Sequence, residues 1–236
     1  MTAAANTLDQ AQKLVASYLM TEDHPIKAKL DACFEKSRVT FNLESLKKAG
    51  FKSSFPRKYT RLIVTKHPKF PGYIFKLYLD VQRYHSDEFE FVQWASRVEG
   101  GNKIREYIQT TQTADFFCVP EAWIYQLPKK PKCPEGYMPK DYILVEQEMN
   151  LIASKENEQL WKSNEIGEET LENLFFLVRN IGLEDCLKPD NLPFTDEGRI
   201  AFIDTESYGK KVKFKHLIPF LSDNNQHYWK KLIKNY

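Results

Sequence analysis

The segment "CLKPDNLPFTDEGRIAFIDTE", residues 186–206, restricts the fold more than any other part of the sequence. Its centre, Thr-Asp-Glu-Gly, is typical of a type I turn, and apolar residues lie on both sides of it. The pattern predicts a short hairpin made by residues 192–194 and 199–204. Asn191 and Asp204, 13 positions apart (204 − 191 = 13), would then reach one edge of the hairpin. They could bind a metal ion there, or they could be ordinary turn residues.

Apolar periodicity and turn residues divide the rest of the chain into helices and strands. Helices are predicted at residues 7–20, 25–36, 43–49, 87–111 and 168–181, and at the end of the lysine-rich tail formed by residues 208–236. Strands are predicted at residues 60–66, 73–79, 117–125 and 142–147. Gly100 and Gly101 are expected to weaken or bend the helix at 87–111. The order of elements predicts an α+β fold with two lobes joined near residues 146–152.

Cysteine and histidine usage excludes several classes of protein. The four cysteines form no CxxC pair and the five histidines are scattered, which argues against a zinc site and a secreted disulfide framework. No apolar run approaches the ~20 residues of a membrane-spanning helix, and the start does not resemble a signal peptide. We therefore expect a cytoplasmic protein with no membrane span.

The charge of the chain is small but uneven. Net charge is +2, yet residues 208–236 hold seven lysines against one acid, Asp223. These lysines could form a solvated surface, or they could bind a polyanion such as an inositol phosphate. Nucleic-acid binding is not expected, because apolar residues at 217–221 interrupt the tail. The predicted polyanion site comprises Lys210, Lys211, Lys213 and Lys215, and a second basic zone comprises Lys47, Lys48, Lys52, Arg57, Lys58 and Arg61.

The hairpin segment resembles the catalytic loop and the metal-binding triplet of the protein kinase superfamily. "LKPDN", residues 187–191, is similar to the family's "LKPEN", and "IDTE" stands where the family has "DFG". The spacing between Asn191 and Asp204 is also that of the family. The resemblance implies that Asn191 and Asp204 bind Mg²⁺ or Mn²⁺ together with ATP, and asparagine and aspartate oxygens suit such ions.

Two upstream motifs extend the resemblance to about residues 60–206. "YIFK" is similar to the family's "VAIK", which implies that Lys76 holds the phosphates. Its partner would be Glu90, Glu99 or Glu106, and of these we favour Glu99. "YILVEQEM" resembles the fifth strand and hinge, which implies that backbone groups near Glu146 to Glu148 bind adenine. The implied architecture is a reduced two-lobed protein kinase-like fold. It would have an N-terminal helical extension (1–55), a β-rich N-lobe (56–147) and a truncated helical C-lobe (148–236).

The departures from the family lead to two functional hypotheses. No glycine-rich loop precedes Lys76, Cys186 stands where the catalytic Asp is expected, and Asp185 lies one residue earlier. Only 32 residues follow Asp204 (236 − 204 = 32), without an "APE" motif, as in small divergent kinase folds resembling effectors of intracellular bacteria. Such an effector would be secreted into a host cell cytosol.

The first hypothesis is an atypical phosphotransferase that acts on a protein or small-molecule hydroxyl, with Asp185 as base. The second is a pseudokinase that binds nucleotide or a partner.

Overall fold

The computed structural model describes residues 12–53, 62–82 and 90–236, and these form two compact units. The N-terminal unit comprises residues 1–95 and 121–148, and the C-terminal unit comprises residues 96–120 and 149–236. Each unit has its own hydrophobic core. The predicted α+β class is confirmed, since both units combine helices with strands. None of the helices in the described ranges has both the length and the apolar character needed to span a bilayer.

Five strands form the antiparallel sheet of the N-terminal unit: β1 (Lys52–Ser53), β2 (Ile63–Lys66), β3 (Tyr73–Leu77), β5 (Ala122–Gln126) and β6 (Tyr142–Gln147). Their order in the sheet is β1-β2-β3-β6-β5. A turn with Gly72 at φ +82° joins β2 to β3, a conformation that glycine adopts without strain. The segment around Leu19 extends the sheet through a parallel bridge to Ile124.

Helices α1 (Lys27–Phe34) and α2 (Leu43–Lys48) pack against this sheet. Asn42 caps α2, because its side chain accepts a hydrogen bond from the Ser45 N–H at 2.9 Å. The core between helices and sheet combines aliphatic and aromatic side chains, with edge-on contacts such as Phe51 against Phe75 at 5.3 Å between ring centroids. Residues 12–16, ahead of α1, are also helical.

The C-terminal unit is mainly helical. Its helices are α4 (Ser154–Trp161), α5 (Glu168–Ile181) and α6 (Asp223–Asn235), and α3 (Glu90–Thr111) contributes residues to both units. Two short strands, β4 (Phe117–Cys118) and β7 (Ile200–Ala201), pair in parallel. Helix α5 has the predicted bounds, because its apolar residues recur at helical spacing and Gly182, at φ +74°, ends it.

One predicted strand needs correction, and one helix was missed. The strand predicted at 117–125 is two strands in different sheets, since Pro120 separates β4 from β5 and proline cannot donate to a ladder. The helix through Gly100 and Gly101 is continuous. The predicted hairpin at 192–204 is observed: the Thr195 N–H donates to the Arg199 carbonyl and the Ala201 N–H to the Pro193 carbonyl, each at 2.8 Å, and Phe194 bridges Ile200. Helix α4 was not predicted. Residues 7–11, 60–61 and 87–89 of the predicted elements lie outside the described ranges.

Candidate functional site

A tight backbone turn positions Asn191. The N–H groups of Asn191 and Leu192 both donate to the carbonyl of Lys188 at 3.0 Å. The side-chain amide of Asn191 donates through Nδ2 to the Asp185 carbonyl at 3.1 Å. This bond fixes the side chain with its Nδ2 directed at the protein. Among the described residues none donates to Asn191 Oδ1, so this oxygen is available to a ligand.

Asp204 lies on the backbone segment that pairs with Asn191. The N–H of Ile203, the residue before Asp204, donates to the Asn191 carbonyl at 3.3 Å. The Asp204 side chain is half-buried, with 35% of its surface exposed. Asp204 therefore follows directly the residue that pairs with Asn191 in the C-terminal unit.

The guanidinium of Arg97, on helix α3, bridges two carboxylates of this segment. Its Nη1 lies 2.9 Å from Asp204 Oδ1 and its Nη2 lies 2.6 Å from Glu206 Oε2. Only 9% of the Arg97 side chain is exposed, so these ion pairs are poorly screened by solvent. Sequence reasoning missed Arg97, which carries no local signal beyond a position on a predicted helix. Its charge offsets the negative charge of Asp204 before any other cation binds.

Helix α3 also approaches this segment closely through its backbone. The hydroxyl of Thr205 donates to the Arg97 carbonyl at 2.6 Å, and Thr205 is buried. A Cβ at Gly100 would lie 1.9 Å from the Thr205 carbonyl oxygen, well inside any permitted contact. Gly100 is thus required for close packing of α3 against the chain that carries Asp204.

Helix α4, which was not predicted, forms hydrogen bonds to the loop that contains Asn191. Asn157 donates through Nδ2 to the Pro189 carbonyl at 2.7 Å, and its Oδ1 accepts from the Phe194 N–H at 3.0 Å. Trp161 Nε1 donates to the Leu192 carbonyl at 3.0 Å. Both side chains are buried, so both are fixed. The spacing of Asn157 and Trp161 on one helical face was the available signal in the sequence.

The predicted base, Asp185, lies at the surface and is paired with the tail. Its Oδ1 lies 3.1 Å from Lys213 Nζ and 3.8 Å from His216 Nδ1, and 45% of its side chain is exposed. The hydrogen bond from Lys213 holds the pKa of Asp185 below its usual range, so the group is a carboxylate at neutral pH.

The neighbouring Cys186 cannot replace that carboxylate. Its side chain is buried, and burial raises the pKa of the Cys186 thiol, with the charges of Asp204 and Asp185 acting in the same direction. The thiol therefore stays neutral at physiological pH. Its electrostatic interaction with both carboxylates places Cys186 near Asp204 and Asp185.

In the N-terminal unit, Lys76 is paired with Glu146. Lys76 Nζ lies 2.8 Å from Glu146 Oε2 and 3.0 Å from Oε1, across the β3–β6 pairing. The side chains are 7% and 6% exposed, so this ion pair is buried. Glu146 was predicted to contribute at the hinge, but its carboxylate binds the predicted phosphate-binding lysine.

Removal of the Glu146 carboxylate should destabilise the N-terminal unit strongly. We expect Glu146→Ala to lower the free energy of unfolding by about 3–5 kcal/mol, because it leaves the buried Lys76 ammonium without this counter-charge. Glu148→Ala is the matched control, since the Glu148–Lys66 pair is far more exposed and should contribute less than about 1 kcal/mol. Urea unfolding of the two variants measures the difference. Equal losses of unfolding free energy in the two variants would contradict the larger contribution expected of the buried ion pair.

The other predicted nucleotide-binding groups have partners of their own. The N–H of Gln147 donates to the Glu121 carbonyl and that of Glu148 to the Gly72 carbonyl, each at 2.8 Å. Adenine could bind these N–H groups only if those bonds broke. The Glu99 carboxylate lies 3.5 Å from Lys103 on the same helix. Its predicted pairing with Lys76 stays a prediction.

The predicted polyanion site in the tail is partly neutralised. Lys213 Nζ lies 3.0 Å from the Glu184 carboxylate, and Lys210 lies 4.0 Å from it. Lys211 and Lys215 are exposed. Of the four predicted lysines, Lys210 and Lys213 therefore have their positive charge partly offset by Glu184.

No family model matches the chain, and no curated protein matches it. In the described part of the chain, no three His, Cys, Asp or Glu side chains converge to hold a metal ion. A metal at Asn191 and Asp204 would accordingly need ligands from water and from a bound phosphate, which is the usual situation for Mg²⁺.

Proposed function

We propose that the chain is an atypical kinase-like phosphotransferase that uses ATP with Mg²⁺ or Mn²⁺. The observation that supports this proposal best is the backbone hydrogen bond from Ile203, the residue before Asp204, to Asn191. It brings an available amide oxygen and a half-exposed carboxylate into the same part of the C-terminal unit. Mg²⁺ is commonly bound by one or two protein oxygens together with water and substrate phosphates.

The residues present fit such an ion, with weak affinity in the absence of nucleotide. Arg97 occupies one oxygen of Asp204 and reduces the local negative charge, while the second carboxylate oxygen is left for the ion. When bound, the metal would neutralise charge on the phosphates. The Asp185 carboxylate would orient the acceptor hydroxyl of a protein or small molecule.

Replacement of the proposed base tests the catalytic part of this proposal. We expect Asp185→Ala to lower turnover of ATP to ADP by roughly 10²–10⁴-fold while nucleotide affinity is kept, because a general base acts in the transition state. ADP release in the presence of Mg²⁺ or Mn²⁺ measures turnover. Asp190→Ala, which alters an exposed carboxylate nearby, is the control. Unchanged turnover in Asp185→Ala would show that the base is assigned wrongly.

The second candidate function is that of a pseudokinase, a module that binds nucleotide or a partner without transfer. Two observations favour it: a neutral, buried Cys186 stands at the position of the catalytic Asp, and Asp185 is held by Lys213. Nucleotide binding without ADP release in the native chain would support this candidate over the first.

A further inference from the structure

The N-terminal unit contains a basic cavity of about 700 Å³ that the proposed phosphotransferase does not use. It lies among α1, α2, the turn between β2 and β3, and the loop at 132–134. None of its described lining residues is acidic, although the whole chain has 32 acids against 34 lysines and arginines. The cationic lining residues are Lys29, Lys36, Arg38, Lys48, Lys69 and Lys132.

Two of these six cations are neutralised within the protein. Arg38 forms a two-pronged ion pair with the buried Asp80, at 2.7 and 2.9 Å, and also donates to the Lys140 carbonyl. Lys48 pairs with Glu44 at 2.8 Å. The remaining four, Lys29, Lys36, Lys69 and Lys132, are exposed and form no ion pair with a described residue. Four positive charges therefore surround the cavity without a counter-charge from the described chain.

The wall that carries Lys69 is fixed by His67. The buried His67 ring accepts a hydrogen bond from the Lys69 N–H through Nδ1 at 3.0 Å, and its Nε2 lies 2.9 Å from the Ala49 carbonyl. Gly50, at φ +100°, allows the chain to pass this ring, since a Cβ there would lie 2.7 Å from Nε2. The turn after β2 is thus tied to the end of α2.

Lys36 and Lys69 come from different parts of the chain, and both line the cavity together with Cys33. Burial raises the pKa of the Cys33 thiol, and both lysines act on that thiol in the opposite direction. Positive charges that line one cavity repel each other unless an anion lies between them.

We propose that this cavity binds a small polyanion that carries several phosphoryl groups. Its volume is in the range of small-molecule sites, roughly 300–1,000 Å³. Lysine ammonium groups bind phosphates as point charges, and the hydroxyls of Ser37 and Ser45 in the wall can donate to them. A nucleic acid would instead need a groove that follows its backbone with aromatic stacking platforms. The proposal is independent of the phosphotransferase.

The experiment is a calorimetric titration of the full chain with inositol hexakisphosphate and with inorganic triphosphate, at about 50 and about 300 mM NaCl. We expect binding that weakens with salt, and a Kd raised roughly 30-fold in the Lys36→Ala/Lys69→Ala variant, since two positive charges of the lining are lost. Lys29→Ala/Lys132→Ala should act in the same direction. Tighter binding of one probe distinguishes phosphate monoesters on an inositol ring from a linear phosphoanhydride chain.

The matched control is Lys211→Ala/Lys215→Ala, which removes the same charge from the exposed tail and should leave the Kd unchanged. An equal loss in both double variants would show unspecific attraction, and a loss in the tail variant alone would place the site in the tail. Tighter binding of a single-stranded DNA than of either probe would indicate a nucleic-acid interface. Each of these results, or no binding at low salt, overturns the proposal.

Discussion

Replacement of Gly100 by alanine is expected to destabilise the C-terminal unit by about 3 kcal/mol, whereas replacement of Gly101 should be neutral or stabilising. The added Cβ at position 100 would lie 1.9 Å from the Thr205 carbonyl oxygen, a backbone atom that cannot rotate away. At position 101 the nearest atom, Val119 Cγ2, is 3.5 Å from the new Cβ, an ordinary contact. Alanine should add about 0.5–1 kcal/mol there through helix propensity.

The pair of variants differs by one position in the same helix, so general effects of alanine cancel. Urea unfolding of each variant measures the change in free energy. Because Thr205 follows Asp204 directly, Gly100→Ala should also disturb the proposed metal site, while Gly101→Ala should not. Similar stabilities of the two variants would contradict the close packing of α3 against Thr205.

Replacement of Asp204 by alanine is expected to remove the metal-dependent part of ATP binding. The variant lacks the proposed carboxylate ligand, and Arg97, with Glu206 as its other carboxylate in this segment, would repel a cation more strongly. In the native chain, saturating ATP with Mg²⁺ should raise the melting temperature by several degrees, because ligand at about 100 times its Kd adds about 2.7 kcal/mol of stability.

The ligand-induced shift in melting temperature should be nearly absent in Asp204→Ala. Comparing shifts, not melting temperatures, separates ligand binding from any loss of stability caused by the broken Arg97 ion pair. Asp196→Ala is the control, because this exposed carboxylate lies in the same hairpin and should keep the native shift. A native shift in Asp204→Ala would remove Asp204 from the proposed site.

The parts of the site that the sequence predicted are those encoded locally. Helix α5 was predicted with its observed bounds, because apolar spacing at 171, 174, 175 and 178 is a local property. The hairpin that places Asp204 directly after the backbone partner of Asn191 followed from a turn sequence between two apolar runs. Turn chemistry and periodicity act over a few residues, and they can be read directly.

The parts that the sequence did not predict depend on distant contacts. Arg97 meets Asp204 across more than 100 positions, and no local pattern marks such a partner. Gly100 admits the Thr205 backbone, a role that its low helix propensity does not indicate. Residues 117–125 have strand-forming composition throughout, yet β4 and β5 pair with different strands. Propensity predicts that a segment is extended and does not specify its partner.

Calorimetric titration of ATP into the native chain, with Mg²⁺ and then with the metal chelated, tests the central claim most directly. We expect measurable affinity with Mg²⁺ and at least tenfold weaker affinity without it, because metal and phosphates would complete each other's ligand sets. The same titration of Asp204→Ala should show no dependence on the metal. Binding that is equally tight without metal, or metal-dependent binding that survives in Asp204→Ala, would contradict a nucleotide–metal site at Asn191 and Asp204.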